Sequence, residues 1–262
     1  MLLLLIFLAG NPNYSWLSES SQTTLSQAIQ PPARYRRLPA TDNSFTIWLR
    51  GLPVREDKTV YLHNGQPKAN QRAQHAVIAI DTGTRDLQQC ADAVMRLRAE
   101  YLFASGQQEA ISFNFTSGHP ARWSDWRDGQ RPVVKGNRVT WSAKAEKDSS
   151  YRNFRRYLNI VFSYAGTYSL KRELHKVENP KHIQPGDVFI QGGFPGHGVL
   201  VVDVVENDKG ERAFLLAQSY MPAQDIHVLR NPSAAGPWYT SRSSGKLITP
   251  EWSFTYEDLH RW

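Results

Sequence analysis

One cysteine, eight histidines and the phrase GGFPGHGVLVVDV at residues 192–204 carry most of the chemistry this sequence offers. The thiol, Cys90, lies in DLQQCADAVMRLRAEYLFA, where Leu87, Cys90, Ala91, Val94, Leu97 and Tyr101 recur at helical spacing. Asp86 followed by Gln89 has the form of a capping box, which predicts a helix opening at Asp86 with Cys90 in its first turn. Unpaired N–H groups and the helix macrodipole favour a thiolate there. The same spacing also puts Cys90 on the apolar face, where a buried cysteine serves packing alone. His197 follows two glycines and a proline and opens an apolar run, so it stands at the mouth of a strand, either as a base held rigid or as a turn residue. The next apolar run, FLLAQSY, carries Gln218 after Phe214, Leu215, Leu216 and Ala217. A buried amide needs a partner, and an imidazole N–H is a suitable one. Ser219 and Gln224 lie near enough to substitute. In chain order Cys90, His197 and Gln218 supply a nucleophile, a base and an orienting group, the parts of thiol acyl transfer. An N–H near Cys90, helped by Gln88 or Gln89, would hold the oxyanion.

Other candidates offer less. His75 also opens a strand and precedes Cys90 by fifteen positions, so it is an alternative base. His63, His119, His175, His182, His227 and His260 sit among polar or turn residues and read as surface. Ser169 reads as a helix cap. RWSDWRDGQR places Trp123 and Trp126 three apart, either as a stacking surface for a sugar ring or as a packing pair under a loop. With one cysteine and no HExxH or paired-histidine spacing, the sequence implies neither a metal nor an organic cofactor. It also excludes an internal disulfide.

Hydrophobic residues make up 40% and charged residues 21% of the 262, enough apolar surface for a packed core. The formal net charge of +7 favours anionic partners, yet the charge is scattered and no nucleic-acid-binding motif accompanies it. Residues 1–10 form an apolar, signal-like segment, too short to span a bilayer, which suggests export to the periplasm or cell envelope without an integral membrane span. Residues 11–44 read as a polar linker or arm. Residues 45–262 read as a single domain.

Within that domain TVYLHNGQPK carries an Asn-Gly hairpin signal and HAVIAID a buried strand. YRNFRRYLNIVFSYAG gives a second helix. DVFIQGG, HGVLVVDVVE and RAFLLAQSY then read as successive antiparallel strands, the last two joined at NDKG. Helices before an antiparallel sheet make the fold class α+β.

IQPGDVFIQGGFPGHGVLVVDV resembles the Pro-Gly-Asp and Gly-His strands of NlpC-type cell-wall peptidases. That resemblance covers about the last 110 residues and implies a papain-like fold, with helices packed on a barrel-like antiparallel sheet. It also implies amide hydrolysis in cell-wall peptides by a cysteine, the strand-start histidine and a polar residue on the next strand. The pattern departs at one point, because the aligned nucleophile position falls near Asn153 and Phe154, neither of which can act. Either the helix of Cys90 precedes a large insertion, or Cys90 is core. LQQCADAVMRLRAEYL, GDVFIQGGFPGH and LLAQSYMPAQ resemble the bacterial family catalogued as domain of unknown function 4846, over roughly residues 35–262. The expectation is a thiol hydrolase of an amide bond. The competing one is a non-catalytic glycan- or peptide-binding module on the same fold. Neither the oligomeric state nor the scissile bond is legible.

Overall fold

The computed structural model describes residues 13–17 and 23–262, so the signal-like segment lies outside the described residues. In chain order the elements are α1 (Leu25–Ala28), β1 (Tyr35–Arg37), α2 (Phe45–Arg50), β2 (Gln74–Val77), α3 (Cys90–Ala104), β3 (Ser112–Asn114) and β4 (Pro120–Arg122). There follow α4 (Trp123–Arg127), β5 (Gln130–Lys135), β6 (Arg138–Ala143), α5 (Tyr151–Tyr164), α6 (Thr167–Glu173) and β7 (His175–Lys176). The last third is β8 (Val188–Gln191), β9 (His197–Asn207), β10 (Arg212–Gln218), β11 (His227–Leu229), β12 (Tyr239–Thr240), β13 (Lys246–Ile248), β14 (Ser253–Thr255) and β15 (Leu259–Arg261).

The main sheet runs β2-β11-β10-β9-β8-β15-β7, with β1 added to the far end of β9 and β12 to that of β10. Every pairing in it is antiparallel. The chain is thus a mixed α and β protein, as its element order suggests. The sheet is open, with β2 and β7 as its ends, and does not close into the expected barrel.

Strand β9 is the axis of the fold and is buried from His197 to Val205. Successive side chains of a strand face opposite sides, and here both sides are covered. Leu200 and Val202 face a core built with Val94, Leu97 and Met95 of α3, which packs against β9. Val199 and Val201 face a second core with Phe189, Phe214, Leu216 and, from the β13–β14 hairpin, Leu247 and Phe254. A strand buried on both faces has no use for polar alternation, which is why GVLVV reads as a continuous apolar run.

The segment expected as a linker or arm is docked more firmly than its composition suggests. Leu25 and Ile29 are buried in the α3-side core, and β1 pairs with the far end of β9. Asp203, fully buried on β9, accepts from Arg37 Nε of β1 and Arg50 Nε of α2, both at 2.7 Å. A lone buried carboxylate is costly; with two guanidinium partners it ties the N-terminal segment and α2 to the sheet.

Candidate functional site

The helix bearing the thiol opens later than its sequence suggests. Residues Leu87–Gln89 are not helical; α3 starts at Cys90 with Gln89 as its cap, whose N–H donates to Asp92 Oδ2 at 2.9 Å. Asp86 instead accepts from the Ala223 N–H at 2.7 Å and so ties this loop to the turn after β10. The helix is delayed by Gln88, whose φ of 56° lies in the left-handed region that a side chain rarely adopts. Gln88 is held there from below: its Oε1 accepts from Arg96 Nη1 at 2.7 Å, and its Nε2 donates to the Asp81 carbonyl. Arg96 is fully buried, paired with Glu100 at 2.6 Å and Asp81 at 3.1 Å. Gln88 is therefore committed to structure and is not free to bind an oxyanion.

As the first residue of α3, Cys90 is nearly buried. Burial is the largest influence on the thiol and raises its pKa to about 11, with the charge of Asp92 adding to the rise. The N–H groups of Ala91, Gly198 and Cys90 itself act in the other direction and favour the thiolate. The contact with Gly198 puts the sulfur against the start of β9, one residue from His197.

His197 is held from every side. Tyr220, Trp252 and Phe254 pack around its ring, with centroids 4.8, 5.3 and 5.8 Å away. Its Nε2 donates to Gln218 Oε1 at 2.9 Å. Burial lowers its pKa to about 4, against the opposing influence of Gln218 and Glu251, so it is neutral at pH 7. The loop before it admits no side chain at Gly196, where a Cβ would meet Thr167 Oγ1 at 2.4 Å and the Gly193 carbonyl at 2.6 Å. The three glycines and the proline that precede His197 thus form a tight support under the strand start.

Alternation along β9 turns Gly198 toward α3 and His197 toward the second core. The thiol thus meets the strand on its α3 side, at Gly198, and the imidazole of the preceding residue lies on the other side. Among the described residues no hydrogen bond joins them. Burial raises the pKa of Tyr220, and its neighbours Glu251 and Cys90 add to the rise.

Beyond Gln218 the network continues into residues that the sequence pattern did not single out. Gln218 Nε2 donates to Glu251 Oε2 at 2.8 Å, and Lys68 Nζ donates to the same oxygen at 2.6 Å. Asn70 Nδ2 donates to Glu251 Oε1 at 3.2 Å. His227, expected at the surface, is fully buried on β11 opposite Gln218, with its Nε2 3.4 Å from Gln218 Nε2 and its Nδ1 2.9 Å from the Asp225 carbonyl. Alternation in DIHVL was the one available signal, since Ile226 and Val228 face one core and His227 and Leu229 the other side. His260, also expected at the surface, is largely buried and bound to the Asp258 carbonyl. The alternates Ser219 and Gln224 bond each other's segment, through Ser219 Oγ to the Gln224 carbonyl. His75, on the edge strand β2, is not brought to this site.

The tryptophans proposed for substrate do other work. Trp123 is fully buried and packs edge-on against Phe154 and Tyr157. Trp126 is also buried, donates from Nε1 to Asn153 Oδ1 at 2.9 Å, and is capped by the Arg131 guanidinium. Neither offers an open face to a sugar ring. Asn153 and Phe154, at the aligned nucleophile position, belong to this core on α5. Ser169 lies in the first turn of α6 and closes its cap by accepting from the Gly166 N–H. Among the described residues no cluster of histidine, cysteine and carboxylate side chains is arranged to hold a metal ion, and no helix is long and apolar enough to cross a membrane.

The model of the family described as domain of unknown function 4846 matches residues 25–261, and the chain belongs to that family. No curated protein and no solved structure matches the chain. The match begins at α1, in agreement with an N-terminal segment that is part of the folded unit.

Proposed function

We propose that this member of the family is a thiol hydrolase that cleaves an amide bond with Cys90 as nucleophile, His197 as base and Gln218 as the group that orients the imidazole. One observation carries the reading: the chain's single thiol sits at the first residue of α3, against the Gly198 N–H, and the residue before Gly198 is a buried histidine whose Nε2 is bonded to an amide. With its proton on Nε2, His197 keeps a lone pair on Nδ1. In the reaction Nδ1 takes the proton of Sγ as the sulfur bonds to the carbonyl carbon, and the carbonyl π pair moves to oxygen. The N–H groups at the start of α3 and of Gly198 are the donors available to that oxyanion. Collapse of the adduct breaks the C–N bond, and the amine leaves with the proton from the imidazolium. Water then gives a proton to Nδ1, attacks the thioester and releases the acid, returning the proton to sulfur.

The resting pair is neutral, since burial raises the thiol and lowers the imidazole. Charging either group alone is costly in such a site; moving one proton between them creates both charges together, each beside the other. Cell-wall peptides are the substrate class that the Pro-Gly-Asp and Gly-His strand pattern suggests, through the papain-like peptidases it resembles. A glycan-binding module loses its support with the burial of Trp123 and Trp126.

The test is acylation by 4-nitrophenyl acetate followed by intact-mass analysis and peptide mapping, with purified peptidoglycan digested in parallel. The expected result is a transient acetyl group on Cys90 that is absent in Cys90→Ala and in His197→Ala, with amide products from the wall material. Absence of label on wild-type Cys90, or equal labelling without His197, would overturn the reading.

A further inference from the structure

We propose that Glu251, held by Lys68 and Asn70, is a positioning residue that fixes the amide of Gln218 and through it the proton of His197 on Nε2. The inference rests on the hydrolase reading for its purpose, but its argument comes from donors and acceptors alone. A carboxylate paired with an ammonium can only accept hydrogen bonds. The Gln218 atom 2.8 Å from Glu251 Oε2 must therefore be the NH2 group, which turns Oε1 toward His197. A carbonyl oxygen also only accepts, so the His197 nitrogen facing it carries the proton. Nδ1 is left as the unprotonated nitrogen.

A second anchor agrees with the first. The Asp225 carbonyl accepts from His227 Nδ1 at 2.9 Å, which leaves a lone pair on His227 Nε2, directed at the second hydrogen of the Gln218 amide. Both amide hydrogens and the amide oxygen are thereby assigned, and no member of the chain is free to reverse. The two buried histidines are required to be opposite tautomers, His197 with its proton on Nε2 and His227 with its proton on Nδ1. Lys68 brings a cation into a largely buried position to hold this one carboxylate, and its Nζ shares the very oxygen that receives Gln218. A salt bridge serving stability alone has no need of that shared oxygen.

The experiment is nitrogen-15 NMR of histidine-labelled protein at pH 7.5, with the signals assigned by their loss in His197→Asn and His227→Asn. In the wild type His197 is expected as the Nε2–H tautomer and His227 as Nδ1–H; the reverse at His197 would overturn the proposal without any variant of the network. In Lys68→Met/Glu251→Leu the amide loses its anchor, and His197 is expected to become a mixture, its tautomer ratio moving about tenfold. Glu251→Gln is expected to keep the wild-type tautomer, because Lys68 holds the new side-chain oxygen on the Gln218 side. An unchanged tautomer in a folded double variant would overturn the positioning role while leaving acylation of Cys90 intact. The expected tautomers together with a Cys90 that never acylates would retain the positioning role and remove the hydrolase reading.

Discussion

The Cys90 thiol should titrate in a way set by its neighbour Asp92. With a pKa near 11, roughly one molecule in 10,000 carries the thiolate at pH 7, against about 3 in 100 for a free thiol at ~8.5. Resting Cys90 should thus react with iodoacetamide about 300-fold more slowly than a small free thiol at that pH. Asp92 lies in the first turn of the same helix and is itself raised to about 7 by burial. Its charge appears as the pH passes through 7, and that charge pushes the thiol up. A plot of log rate against pH should therefore climb tenfold per unit below about 6, flatten through 7 as Asp92 ionises, and steepen again above about 8. In Asp92→Asn the flattening should vanish, and the rate at pH 8 should exceed the wild type by about tenfold. The assay is alkylation followed by mass spectrometry over pH 5–11. A constant slope in both proteins would show that Asp92 does not govern the thiol. A plateau below the free-thiol value of ~8.5 would refute the argument from burial and show a resting ion pair with His197.

Asp92 should also make stability depend on pH. Its folded pKa of about 7 exceeds the unfolded value of ~3.9, so the folded state holds the proton more tightly and loses stability as pH rises from about 4 to 7. Urea unfolding should show Asp92→Asn gaining on the wild type by a few kcal/mol between pH 4.5 and 8; a gap independent of pH would contradict this. Gly196→Ala, whose methyl meets Thr167 Oγ1 and two carbonyls, should displace the start of β9 and abolish Cys90 acylation while the far-ultraviolet circular dichroism stays native. Trp123→Ala should cost about 3–5 kcal/mol in urea unfolding and leave the labelling rate of Cys90 unchanged; a change in rate without loss of stability would return the indole to the site. Arg96→Met should cost about 3–5 kcal/mol by stranding buried Glu100, and Arg96→Met/Glu100→Leu should recover most of that loss. Failure of the second change to recover it would show that Arg96 acts mainly through Gln88.

The three proposed site residues were legible because each interrupts a strong local pattern: a thiol near a helix start, an imidazole at a strand mouth, an amide within an apolar strand. The α+β order and the β9–β10 hairpin followed from the same local signals. Errors of boundary came from competition between two capping boxes. Asp86 with Gln89 and Gln89 with Asp92 are both available, and the choice is made by Arg96, which pins Gln88 in a conformation that no helix tolerates. Lys68 and Glu251 were out of reach for another reason. They converge on Gln218 from far apart in the chain, Lys68 from 150 positions before it and Glu251 from 33 after it, and only the sheet order brings them together. Burial of Trp123 and Trp126 was equally invisible, since spacing of three on a helix describes a shared face and not what covers it.

The long interval between Cys90 and His197 has a physical explanation in α3. Its N-terminal end lies against the start of β9, and its other end carries Phe103, which stacks on Phe154 at 4.4 Å and meets Trp123 and Tyr151 edge-on. Residues 112–164, with both hairpins, α4 and α5, thus build an aromatic core at the end of the helix away from the thiol. Tyr151 of that core donates to Glu100, the partner of Arg96, which in turn holds Gln88 in front of Cys90. A continuous set of buried contacts therefore runs from residues 112–164 to the residue that decides where α3 begins. A thiol at a first helical position, beside a strand of a different part of the chain, needs both its helix axis and its first turn held in place. The sheet supplies one support and residues 112–164 the other. Residues 112–164 are then part of what positions Cys90, and α5 serves as a brace for α3.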